Sequence, residues 1–315
     1  MTKVGQIKAC LRTDTGQVRG HNEDFIYSLE PQTPEEAEKN GWLYIIADGV
    51  GGADAGEVAS QYATERMVLH YQNDVNPNWG ERIIDAMQAA NTDLRQLVAD
   101  RDNNSRMATT MVAAAIRNSH AWIGNVGDSR AYHWRNGRLR QITKDQSLVA
   151  KLVEEGAITQ AEADVHPRRN VILYSLGSES APKIELFELD LAEGDLLLLC
   201  SDGLTRHLSD DEINAIISQA TPETATEQMI LLANERGGED NISAGVIQIG
   251  ERTLEETRPF LPPAPEKTKP FVVPAPAGPT AVSHRHDRIL LWLYTAALAL
   301  LMIVLIFFAW SILRV

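Results

Sequence analysis

Cysteine is nearly absent from this chain of 315 residues, with Cys10 and Cys200 the only two. Neither has a CxxC or Cys/His partner at metal-ligand spacing, which excludes a disulfide scaffold and a zinc module. Cys200 closes the apolar run 196–199 and reads as a buried thiol in a strand. There is no GxxxxGK[ST] run, so a P-loop is excluded. Gly49 and Gly51 are followed by Asp54 where GxGxxG needs a third glycine, and Val50 stands where an EF-hand loop needs an oxygen ligand. Basic charge is also scarce. The first 250 residues hold 22 Lys and Arg against 38 Asp and Glu, a net −16, against −14 for the whole chain. Phosphate backbones are bound through clustered Lys and Arg, so nucleic acid is not an expected partner. The opening run Met-Thr-Lys-Val-Gly-Gln lacks the apolar core of a secretory signal, which predicts that the acidic part works in the reducing cytoplasm.

What is present is an ordinary globular composition, 44% hydrophobic and 23% charged. Strands are predicted over 6–11, 24–29, 42–47, 109–116, 121–126, 131–135, 138–142, 184–189, 196–200 and 242–249. Asn136-Gly137 joins two of them as a type I′ hairpin signal. Helices are predicted over 57–71, 79–100, 148–155, 210–219 and 222–235. Ser209 with Glu212 gives a capping box and Thr221-Pro222 an N-cap and first-turn pair. Strands in blocks with paired helices imply an α+β layered domain over residues 1–252.

The C-terminal part is different. Eight prolines fall between Arg258 and Pro279, so 253–288 reads as an extended linker. Residues 289–313 carry no charged side chain and include Trp292, Tyr294 and Trp310. As a helix they are about 37 Å long at ~1.5 Å per residue, enough to span a bilayer. Lys267, Lys269, Arg285 and Arg288 precede the stretch and only Arg314 and Val315 follow it. Positive-inside bias therefore predicts a single-pass membrane protein with its large N-terminal part in the cytoplasm.

Acidic residues recur where predicted strands begin or end: Glu23 and Asp24, Asp48, Asp128, Asp202 and Asp240. A carboxylate at such a position adds nothing to packing and is costly to bury unless a cation or donors compensate it. If the strand ends converge, the cluster calls for a divalent metal. The run Asp48-Gly49-Val50-Gly51-Gly52 reads as a glycine-rich turn that lets backbone and water approach a hard cation such as Mg2+ or Mn2+.

Taken in order, Arg19-Gly-His-Asn-Glu-Asp24, Asp48-Gly-Val-Gly-Gly52, Met107-Ala-Thr-Thr110, Val126-Gly-Asp-Ser-Arg-Ala-Tyr132, Ser201-Asp-Gly-Leu204 and Asp240-Asn241 resemble the metal-dependent protein phosphatases of type 2C, over about residues 5–250. The resemblance implies a β-sandwich of two antiparallel sheets flanked by helix pairs, with metals in a cleft at one end. By position it implies that Asp48 bridges two Mn2+ or Mg2+ ions, assisted by the Gly49 carbonyl. Asp202 and Asp240 complete the first ion, Glu23 acts through water on the second, and Asp128 with Asp202 matches a third metal position. Arg19 matches the phosphate-binding arginine. Asp24 is expected to orient Arg19 or water, and Asn241 to support the ligands from behind. The implied reaction is hydrolysis of phosphoserine and phosphothreonine in proteins by a hydroxide formed between two cations. The implied partners are phosphorylated proteins, among them a Ser/Thr kinase or its substrates.

Some positions depart from the family. Val50 stands where animal members often carry a histidine proposed to protonate the leaving group, and Ala108 replaces a glycine. Residues 144–176, with Lys151, His166, Arg168 and Arg169, resemble the flap beside the cleft. His21 and His207 read as solvent-facing or packed side chains rather than ligands. Two rivals stay open: a catalytically silent member that binds phosphoprotein, and a membrane scaffold working through its Pro-rich linker. Retention of the acidic set weighs against the first.

Overall fold

The central strands are apolar on both faces, so each sheet must be covered twice, once by the other sheet and once by helices. A computed structural model describes residues 7–51, 55–101 and 107–252, all within one compact unit. One sheet runs in the order β1 (Ile7–Asp14), β11 (Ile242–Ile249), β10 (Leu196–Cys200), β7 (Arg130–Arg135), β8 (Arg138–Gln141). The other runs β2 (Asp24–Leu29), β3 (Trp42–Val50), β5 (Met111–Arg117), β6 (His120–Val126), β9 (Glu185–Asp190), and the short β4 (Ala108–Thr109) pairs with the end of β3. All these pairings are antiparallel.

Side-chain alternation builds the layers. On β3, Tyr44 and Ile46 face the other sheet and meet Leu197, Leu199 and Ile247. Leu43, Ile45 and Ala47 face α2 (Ala55–Asn73) and α3 (Trp79–Asp100), against Met67, Ile83 and Met87. On β10, Leu196 and Leu198 face α7 (Asp210–Gln219) and α8 (Pro222–Glu235), against Ile213, Ile216 and Met229. Each such side chain stabilises the fold by about 1.5–3 kcal/mol when fully buried. The result is helices, sheet, sheet, helices, as expected from the resemblance.

Local signals hold as well. Asn136 and Gly137 both have positive φ, 51° and 81°, as a type I′ turn requires. Ser209 and Glu212 form the capping box of α7, and Thr221 caps α8. Cys200 is buried at the end of β10. One difference bears on the site: β3 continues to Val50 instead of ending at 47, because Gly49 and Val50 pair with Thr109 and Ala108. Asp48 therefore lies within a strand and not in a turn. Three short helices were not expected, namely α1 (Pro34–Asn40), α5 (Gln160–Asp164) and α6 (Asp202–Thr205). The flap region holds α4 (Leu148–Glu154) and α5, and its ends are fastened by the bridges Ser147 to Ile172 and Thr109 to Leu176.

Among the described residues no helix is long and apolar enough to cross a membrane. The expected linker 253–288 and membrane span 289–313 lie outside the described residues.

Candidate active site

Antiparallel register gathers the acidic residues at one rim of the sandwich. Asp24 opens β2 directly opposite Asp48 on β3. In the other sheet Cys200 pairs with Ala244 and with Arg130, so the end of β10, the start of β11 and the start of β7 lie together. That brings Asp202, Asp240 and Asp128 to the same rim. The sheets are pinned together there by Asp24, whose Oδ2 accepts from Ser201 Oγ at 2.8 Å and Ser243 Oγ at 2.6 Å.

Backbone contacts fix the surrounding loops. The Asn241 side chain donates to the carbonyls of Thr15 and His21, both at 2.9 Å, while its Oδ1 accepts the Glu23 N–H at 2.8 Å. The Glu23 carbonyl accepts in turn from the Gly49 N–H at 3.0 Å and from Ser60 Oγ at 2.6 Å. A side chain at Gly49 would collide with the Gly56 carbonyl, and one at Gly56 would come within 2.7 Å of the Glu23 carboxyl. Glycine at both positions thus lets the start of α2 close on the rim. Behind Asp48, its carbonyl accepts from the Thr110 N–H at 2.8 Å and Thr109 Oγ1 at 2.9 Å, and Thr110 Oγ1 meets Ser129 Oγ at 2.8 Å.

The electrostatics are those of a cluster in need of cations. Burial raises the Asp48 carboxyl well above its ordinary range, and Asp24, Asp202, Asp128 and Asp240 add to the rise. Asp24 is pushed up to about 7 by burial, against the opposing effect of its two serine donors. Asp128 is pushed up to about 8 by burial and then by Asp202. Burial also raises Asp202 and Glu23. Asp24 and Asp128 each keep one buried carboxylate oxygen, Oδ1, with no hydrogen-bond partner. Orphaned buried oxygens in an all-oxygen donor set fit a hard divalent cation, and among the described residues no soft ligand joins them to favour another metal.

Two guanidinium groups occupy the rim. Arg19 Nη2 donates to Asp240 Oδ2 at 3.0 Å and lies 2.8 Å from Oδ1. Arg206 donates from Nη1 to Asp240 Oδ2 at 2.9 Å and from Nη2 to Asp202 Oδ2. With these cations between the carboxylates, no three His, Cys, Asp or Glu side chains among the described residues are drawn together around one point.

Arg19, Glu23, Asp48, Gly49, Asp128, Asp202, Asp240 and Asn241 are thus all brought to the one rim. Of the two roles expected for Asp24, orienting Arg19 is not seen, since its bonded oxygen is taken by Ser201 and Ser243 and Arg19 rests on Asp240. Asp24 instead ties the two sheets. Ser243 and Arg206 are not singled out by the sequence, and Ser201 appears there only as the first residue of the Ser201-Asp-Gly-Leu204 motif. Ser243 offers no signal, whereas Arg206 stands four residues after Asp202 on a helical turn, a spacing at which opposite charges meet. His21 is exposed. His207 is half-buried, and its Nε2 accepts the Glu239 N–H at 3.4 Å. From Asp128 and Asp202 a groove of about 1690 Å³ opens between the flap and the α6–α7 segment, with Lys151 and Arg169 among its lining residues. His166 and Arg168 contact each other instead, the His166 ring accepting the Arg168 N–H.

Residues 35–236 match the family described as Protein phosphatase 2C. The chain belongs to this family. It is 36% identical over 245 residues to the "Serine/threonine phosphatase stp" of Listeria monocytogenes serotype 4b, covering 75% of this chain and 94% of that protein. The crystal structure of the Mycobacterium tuberculosis serine/threonine phosphatase PstP/Ppp is similar at TM-score 0.69 and 33% identity, over 78% of this chain and 99% of that one. Similar too is the catalytic domain of PstP in complex with two manganese ions, at TM-score 0.67 and 31% identity over 78% and 99%. The chain is accordingly a serine/threonine protein phosphatase with the Mn2+ or Mg2+ dependence of its family. Six carboxylic groups, those of Glu23, Asp24, Asp48, Asp128, Asp202 and Asp240, converge at its acidic rim.

Proposed function

We propose that this 2C-type phosphatase hydrolyses phosphoserine and phosphothreonine in proteins at the rim, and that residues 289–313 hold it to the cytoplasmic face of a membrane. The single observation that carries the site is the convergence of Asp48, Asp128, Asp202 and Asp240, three of them with carboxyls raised by burial and one, Asp128, with a buried oxygen that has no hydrogen-bond partner. Asp48, the Gly49 carbonyl, Asp202 and Asp240 would hold the first ion, Asp48 and Glu23 would serve the second, and Asp128 with Asp202 would offer a third position. When bound, divalent cations supply an activated water nucleophile and offset charge on the phosphoryl group. The protein's own contribution is placement. Asn241, Ser60 and Gly56 fix the Glu23 loop, and Thr109 and Thr110 fix Asp48.

Arg19 binds the phosphate. Its side chain is 47% exposed and rests on Asp240, so a phosphate dianion arriving at the rim can take its planar donor fork without disturbing the core. Arg19→Ala should raise KM for a phosphothreonine peptide by about tenfold or more, and Arg19→Lys should recover only part of this, because an ammonium cannot reproduce the fork. Steady-state kinetics with Mn2+ check it. Unchanged KM in both variants rules Arg19 out as the phosphate ligand.

The membrane reading is carried by the 25 uncharged residues 289–313 beyond a basic flank. Partners reached from that position are phosphoproteins at the membrane surface, including a Ser/Thr kinase or its substrates. Fractionation of cells making the full chain should place it in the membrane pellet, resistant to high salt, whereas a chain ending at 288 should be soluble. Full-length protein in the soluble fraction contradicts the anchor.

A further inference from the structure

Among the described residues, Arg206 is the one cation that touches two of the proposed metal ligands at once. It follows the single turn of α6, and its N–H donates to the Asp202 carbonyl at 2.9 Å, which curls the side chain back over the rim. One arm of the guanidinium reaches Asp202 and the other reaches Asp240, 2.9 Å away. The pairs are sheltered, with the side chains of Arg206, Asp202 and Asp240 only 24%, 16% and 16% exposed. An arrangement of this kind resists solvent and salt far better than a surface ion pair. Arg19 contrasts with it, touching Asp240 alone from an exposed position.

We propose that Arg206 is a built-in counter-ion, a positioning residue that bridges Asp202 and Asp240 while metal is scarce and must be displaced before these two carboxylates can take a divalent ion. This rests on the metal-site reading above and deepens it. Without the guanidinium, Asp202 and Asp240 would face each other, Asp48 and Asp128 as like charges in a partly buried setting, which is strongly unfavourable. With it, the rim is held together in the metal-free protein. The same contact lowers apparent metal affinity, because only molecules whose Arg206 has swung away are competent to bind, and affinity falls by that fraction. Arg206 therefore sets the metal concentration at which the phosphatase becomes loaded.

Calorimetric titration of Mn2+ into the full chain, alongside melting of the metal-free protein, tests this without recourse to turnover. Arg206→Gln should bind Mn2+ on the order of tenfold more tightly than wild type while melting lower without metal. Arg206→Lys, whose single ammonium cannot bridge two carboxylates, should show a smaller gain in affinity and a smaller loss of stability. Both variants binding Mn2+ with wild-type affinity or more weakly would overturn the proposal, and should Arg206→Gln fail to fold, the Lys variant alone decides it by the same criterion. Wild type and variants that all fail to bind Mn2+ would overturn the metal site and the counter-ion together. Expected affinity changes in a protein that releases no phosphate would uphold the counter-ion and refute the catalytic reading.

Discussion

Asp48→Asn should lower Mn2+-dependent phosphate release by at least about 10³-fold while raising the melting temperature of the metal-free protein. The catalytic loss follows from position: Asp48 lies opposite Asp24, is hydrogen-bonded through its carbonyl to Thr109 and Thr110, and faces the other acidic groups of the rim. Asparagine keeps the shape but removes one charge from the metal ligand set, where charge stabilisation in the transition state is worth several kcal/mol. The gain in stability has the same origin. Burial and four neighbouring carboxyls oppose ionisation at Asp48, so a neutral isostere relieves about 1–3 kcal/mol of repulsion, or several degrees of melting temperature for a domain of this size. A variant that lost both activity and stability would show that Asp48 is structural, and the site would have to be placed elsewhere. Kinetics with Mn2+ and thermal melts in chelator, on the same preparations, decide between the two.

The metal-free protein should also be less stable at pH 8.5 than at pH 5, the reverse of what salt-bridged carboxylates produce. The sign follows from raised pKa values. Asp24 at about 7 and Asp128 at about 8 hold their protons more tightly in the folded state than in the unfolded chain. Their stabilising protonation is fully present below about pH 4, the unfolded value, and is lost as the pH climbs through 7 and 8. Because the groups repel one another, the shifts do not simply add, and about 2 kcal/mol or more across that range is the expected net effect. Saturating Mn2+ should remove most of the slope, since a bound cation favours the ionised carboxylates. Urea titrations at pH 5, 7 and 8.5, with and without Mn2+, read this directly. A metal-free protein that became more stable on going from pH 5 to 8.5 would mean the rim carboxylates are already compensated by the protein.

Most of the scaffold was legible because its signals are local and redundant. Strands 24–29, 196–200 and 242–249 and helices 79–100, 210–219 and 222–235 fall where apolar patterning, capping residues and proline place them. Helix α1 was not, since none of Pro34–Asn40 is buried and no apolar stripe marks it, although Thr33 caps it just as Thr221 caps α8. β3 was read too short because its last residues, Asp48-Gly49-Val50, look like a turn until β4 arrives from 60 residues away to pair with them. The same limit governs the site. The acidic residues announce themselves by standing at strand ends without a packing role. Their company does not: that Asp24 binds Ser201 and Ser243, and that Arg206 spans Asp202 and Asp240, depends on how two sheets meet, which no local pattern encodes. Val50, 39% exposed at the end of β3, has no ionisable group and cannot itself supply a proton to the leaving group.

The central claim, that the converged carboxylates hold the cations that run phosphate hydrolysis, is tested most directly by one Mn2+ titration read in two ways. Phosphate release from a phosphothreonine peptide and the melting temperature at pH 8 are followed on the full chain from chelator to excess metal. The account predicts no turnover in chelator, with activity and stability rising together over the same range of Mn2+. Turnover that persists in chelator, or a melting temperature that ignores Mn2+ while activity rises, would contradict it.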